Sequence, residues 1–104
     1  MTKNIIVKDL LENIDKIDEN LNVFFPKNKN ITKDTQSILL TDKELEEIDE
    51  MHDNVFDNKY YGIGVDVLKD IIENLNQQVE HPTENRKLEA LIFYIDNDAF
   101  IECT

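Results

Sequence analysis

Cysteine is almost missing from this chain of 104 residues: Cys103 stands alone next to the C-terminus. One cysteine excludes an internal disulfide, which agrees with a reducing compartment. Long apolar runs are missing as well. The longest cover residues 5–7, 37–40 and 91–95, far short of the roughly 20 residues that span a bilayer. Met1-Thr2-Lys3-Asn4-Ile5 offers neither a long apolar stretch nor a small-residue cleavage site, so the start reads as an intact cytoplasmic N-terminus. Chemistry-bearing side chains are sparse too, with one serine, Ser37, and two histidines, His52 and His81.

Positive charge is also scarce. Eleven Lys and Arg face 23 Asp and Glu, for a net charge of −12 and a pI near 4.4. The imbalance is not spread evenly. Residues 1–41 hold six basic and six acidic residues, whereas residues 42–104 hold five basic and seventeen acidic ones. Such a field repels nucleic acid and anionic membranes and attracts basic partners. Solubility alone is the plainer explanation of an acidic surface.

Enough apolar residues, 40% of the chain, remain to fill one modest core, and the length suits one domain over residues 1–104. Val7, Leu10, Leu11, Ile14, Ile17 and Leu21 recur at steps of three and four, which predicts an amphipathic helix over 5–21. Residues 23–26 form a strand candidate that Pro26 stops or places at an edge. A polar loop follows, and residues 37–40, apolar after Ser37, predict a central strand. Thr41-Asp42-Lys43-Glu44 is a capping box, with helix to about residue 57. Residues 60–65 predict a third strand, in which Gly62 and Gly64 mark a bend or a close backbone approach. Asp66 is the expected cap of a helix to about residue 79, and Thr83 of a last helix over 84–96. Residues 91–101 also admit a hairpin, but Arg86-Lys87-Leu88-Glu89-Ala90 favours helix. The expected fold is a compact α+β domain: a small, mainly antiparallel three-stranded sheet covered by about four helices, with the helix 42–57 at one side.

That helix carries the sharpest signal. Segment 42–57 holds eight acids against Lys43 alone. At roughly 100° per residue, Leu45, Ile48, His52 and Val55 share one face and Glu46, Glu50, Asp53 and Asp57 another. Like charges three or four apart cost a few tenths of a kcal/mol each, and acids in the last turn oppose the helix dipole. A surface that breaks local rules without compensation points to function, although charge runs are usually solvated faces. The candidate partner-binding residues are Glu46, Glu47, Asp49, Glu50, Asp53 and Asp57. Tyr60 and Tyr61 follow as candidate aromatic anchors, with strand packing as their alternative role.

No catalytic set is apparent. A nucleophile needs a base beside it, and Ser37 lies in a predicted strand while Cys103 is terminal. His52 falls on the apolar helix face, where a packed, hydrogen-bonded histidine is expected. Asp49, His52 and Asp53 do not converge as metal ligands, because Asp53 points away from His52. Asp96-Asn97-Asp98 opens like a calcium loop, but Ile101 stands where glycine is required. Gly62-Ile63-Gly64 lacks the third small residue of a dinucleotide turn. The expectation is a non-enzyme with no catalytic residue, cofactor or metal.

Gly64-Val65-Asp66-Val67, Phe24-Phe25-Pro26-Lys27 and the ending Tyr94-Ile95-Asp96-Asn97-Asp98-Ala99-Phe100-Ile101 resemble a family of small acidic bacterial proteins. Its members turn into a helix at a Gly-[Val/Ile]-x-Asp-Val-like motif and finish with Tyr-x-Asn-Asp-Ala-Phe. The likeness runs from about residue 20 onward and is most specific at the ending. Proteins of this kind lie beside toxins in polymorphic-toxin and contact-dependent growth inhibition loci. The resemblance therefore implies a cytoplasmic immunity protein that binds a cognate toxin, and it carries over no catalytic residue. Asp66 and Asn97-Asp98 are expected as caps or as contact residues. Many delivered toxins are nucleases with basic, phosphate-holding clefts, so the expected partner is a basic nuclease domain, blocked sterically and electrostatically. The competing expectation is a DNA mimic, or anti-restriction protein, that binds DNA-processing enzymes. No direct nucleic-acid or membrane contact is expected, and the oligomeric state is left open.

Overall fold

The computed structural model describes residues 3–27, 30–52 and 59–102. Its strands are β1 (Lys3–Ile6), β2 (Asn22–Pro26), β3 (Gln36–Leu40) and β4 (Tyr60–Gly64). Its helices are α1 (Val7–Glu12), a single 3-10 turn (Ile14–Lys16), α2 (Asp42–His52), α3 (Val65–Gln78) and α4 (Glu84–Asn97). The sheet runs β1-β3-β2-β4 and every pair is antiparallel. The α+β class and the antiparallel sheet agree with the sequence, but there are four strands rather than three.

The extra strand corrects the expected helix over 5–21. Ile5 and Ile6 fit the apolar stripe in spacing, yet they lie in β1, opposite Ser37 and Gln36. β-Branched side chains suit a pleated surface, and the partner strand satisfies their backbone. The Ser37 hydroxyl donates to the Ile5 carbonyl at 2.7 Å. The amides of Val7 and Lys8 donate to the carbonyls of Thr35 and Lys33, both at 2.9 Å. Helix begins only at Val7 and ends at Asn13, whose backbone and side-chain nitrogens both donate to the Asp9 carbonyl. The stripe itself is sound, since Val7, Leu10, Leu11 and Ile14 are buried.

β3 lies between β1 and β2, so the central position expected for residues 37–40 holds. β2 is central too, and Pro26 is its last residue, opposite Tyr60. The missing amide therefore ends the strand rather than marking an edge. Gly64, not Asp66, is the N-cap of α3, and Asp66 lies in the first turn. Strand thus passes straight into helix, with the Val65 amide held by the Leu21 carbonyl at 2.9 Å. The expected end of α2 near residue 57 lies outside the described residues. Residues 91–97 are helix and not hairpin: α4 continues to Asn97, and Asp98 closes it in the left-handed region at φ 52°.

Strand alternation gives the sheet two faces. On the first, Val23, Phe25, Leu39 and Ile63 meet α1, α3 and α4 in one core with Leu10, Leu11, Leu68, Ile71, Ile72, Leu75, Ala90 and Leu91. On the second lie Asn4, Ile6, Asn22, Phe24, Ile38, Leu40, Tyr60 and Gly62.

Candidate functional site

The acidic helix α2 belongs to the second face. Its start is built as the capping box predicts. The Thr41 hydroxyl accepts from the Glu44 amide at 3.1 Å, and a Glu44 carboxylate oxygen accepts from the Thr41 amide at 3.1 Å. Asn22 on β2 fastens this end to the sheet, donating to the Asp42 carboxylate at 2.7 Å. Leu45 is half-buried and lines a hollow with Asn22, Phe24 and Gly62. Leu40 is fully buried and Phe24 nearly so. The helix thus rests an apolar residue on one end of the second face.

Gly62 explains how the sheet stays thin there. It lies opposite Phe24, and a Cβ at Gly62 would run into the Phe24 ring. Its backbone is ordinary, since no glycine has positive φ. Close approach, not turn geometry, is therefore the reason for this glycine. Because β4 is antiparallel to β2, Gly62-Ile63-Gly64 is not the strand-to-helix turn of a dinucleotide fold.

Of the residues singled out by sequence, Glu46 and Glu47 are exposed on α2 and make no hydrogen bond or ion pair among the described residues. Asp49 and Glu50 occupy the same helix. Asp53 and Asp57 lie outside the described residues. Tyr60 and Tyr61 part company. Tyr60 lines a depression of about 440 Å³ on the second face with Asn4, Pro26, Asp34, Thr35, Gln36 and Ile38. Tyr61 packs against the core on the first face. Burial raises its pKa above the ordinary 10.0, and the charge of Asp98 and the neighbouring Tyr94 push the same way. Two adjacent strand residues cannot present their rings to one surface, so only Tyr60 shares a side of the sheet with α2.

Other charged groups pair locally. Arg86 and Glu89, one turn apart on α4, pair at 3.2 Å on the surface. The pKa of Glu12 is raised above 4.5, first by a hydrogen bond with the Glu84 carboxyl, then by burial and by the Glu84 charge. The two residues stand at the end of α1 and the start of α4. Among the described residues no group of three or more His, Cys, Asp or Glu is placed to hold a metal ion. No helix among them is long and apolar enough to cross a membrane.

The fold and this surface define a small α+β domain with one helix-covered sheet face and one face bearing an acidic helix. Residues 4–103 match the domain of unknown function DUF7716, and the chain belongs to that family. No curated protein and no solved structure matches it.

Sequence reasoning passed over two exposed rings, Phe93 and Phe100, which are 36% and 42% accessible. Phe100 belongs to the most distinctive part of the C-terminal motif, and its exposure had no signature in periodicity.

Proposed function

We propose that this protein is a cytoplasmic immunity protein that binds and neutralises a cognate toxin, a nuclease domain with a basic substrate cleft. The observation that carries the proposal is α2. Its eleven residues hold Asp42, Glu44, Glu46, Glu47, Asp49 and Glu50 against Lys43 alone, and the exposed Glu46 and Glu47 form no ion pair among the described residues. A basic partner supplies the missing charge, and the field of a chain with net charge −12 speeds their encounter. Inhibition on this reading is occlusion: the carboxylates take the place of phosphates at the rim of the cleft and bar the substrate. The resemblance of the C-terminal ending to proteins of toxin loci supports the same reading.

A DNA mimic needs carboxylates at duplex spacing over a long surface. The described part of α2, eleven residues, extends about 16 Å, roughly half a turn of B-DNA, and the acids concentrated on this one helix favour a local docking site over mimicry.

Co-expression with the product of the gene immediately upstream tests the proposal. A complex that purifies intact, with restored growth of cells making that product, is the expected result. Absence of both overturns it.

A further inference from the structure

The surface of α3 opposite the core carries Asp66, Asp70, Glu73, Asn74 and Gln77, at the spacing of a helical stripe. Four of these, Asp70, Glu73, Asn74 and Gln77, line a groove of about 300 Å³ whose remaining wall is Phe100. The chain beyond α4 is fixed there. Asp98 turns it in the left-handed region while its amide donates to the Tyr94 carbonyl at 2.7 Å. The Gln78 amide group donates to the Ile101 carbonyl at 2.8 Å and to the Asn74 side-chain oxygen at 2.7 Å. Tyr94 and Phe100 meet with ring centroids 5.7 Å apart. Phe100 thus packs on Tyr94 yet is 42% exposed, its ring lining the groove with the carboxylates of Asp70 and Glu73.

We propose that this groove is a second docking surface, which takes an Arg or Lys side chain of a basic partner protein. The charge around it points to that occupant. Lys69 is the one cation of α3, against Asp66, Asp70 and Glu73, and residues 96–102 add Asp96, Asp98 and Glu102 with no cation. An aromatic face attracts a cation by its quadrupole, and the apolar stem of Arg or Lys can lie along the ring while its head meets the carboxylates. An apolar occupant would instead strip water from Asp70 and Glu73 without returning a partner to them. The planar guanidinium stacks better than an ammonium, so Arg is preferred over Lys. The groove is on the helix layer, across the sheet from α2, and stands whether or not α2 is an interface.

The test is a titration of the isotope-labelled protein, followed by NMR, with the acetylated and amidated peptide Gly-Arg-Gly-Arg-Gly. The control is the same peptide with citrulline, a neutral analogue of arginine. Saturable shifts centred on Asp70, Glu73, Asn74 and Phe100 are expected, with no saturation by the citrulline peptide. Phe100→Ala is expected to weaken binding about two- to fivefold, while Phe100→Trp retains it. Shifts confined to α2 or scattered over all acidic residues would overturn the proposal. So would unchanged affinity in a folded Phe100→Ala protein.

Discussion

Phe24 and Phe25 are neighbours on β2, yet they serve different halves of the molecule. Phe25 is fully buried among α1, α3 and α4 and belongs to the main core. Phe24, on the other side of the same strand, packs over Gly62 and beside Leu45. The first face is closed by three helices. The second is closed at one end by α2 and opens at the other into the depression by Tyr60 and Ile38. The main core lies on the first face, whereas the second carries the acidic helix α2, whose closely spaced like charges work against the helix.

Paired truncations give the largest expected contrast. Phe25→Ala should cost about 3–5 kcal/mol, a large share of the roughly 5–15 kcal/mol that holds such a domain together. Leu45→Ala, half-buried on the second face, should cost about 1 kcal/mol. Urea denaturation measures both, and equal losses would end the distinction between the faces. Gly62→Ala comes next, because its Cβ displaces the Phe24 ring. Overpacking of this kind costs about 1–3 kcal/mol, and aromatic NMR shifts should report Phe24 moving while Phe25 stays in place.

Smaller effects sharpen the comparison. Thr41→Ala removes the acceptor at the start of α2, and Thr83→Ala the one at the start of α4. Each should lose about 1 kcal/mol. Hydrogen exchange should show the Thr41→Ala loss confined to α2 and the Thr83→Ala loss reaching the core through α4. The smallest effect is in pH. Glu12 has its pKa raised in the fold, so its contribution to stability is fully present below the ordinary value of 4.5 and is lost as pH rises through the raised value. Glu84→Gln should flatten that decline in denaturation midpoints without touching α2. An unaltered slope would mean that Glu84 is not the cause.

Local signals in the sequence were the reliable ones. Thr41 with Glu44, and Thr83 with the Arg86 amide, cap their helices as their spacing predicts, because a cap is decided within four residues. β1 escaped notice because its evidence is distant: Ile5 pairs with Ser37, 32 residues away, while its own spacing also satisfies a helical stripe. Asp66 lies two residues inside the helix, because strand β4 runs straight into α3 and leaves Gly64 at the N-cap position with no side-chain cap. The charge of α2 was plain in composition. The side of the sheet on which it lies was not, and that is what divides Tyr60 from Tyr61. Their opposite directions follow from the two-residue period of a strand, once β4 is known to start at Tyr60.

On the proposed function, α2 is the docking surface for a basic toxin. It is tested by the rate of association with that partner, measured against salt, for the native protein and for Glu46→Lys with Glu47→Lys, both exposed on α2. Exposed substitutions of this kind should leave stability within about 0.5 kcal/mol. The expected result is an association rate that falls steeply with salt in the native protein, and a slower, less salt-dependent rate in the variant. Identical rates and identical salt dependence would contradict it.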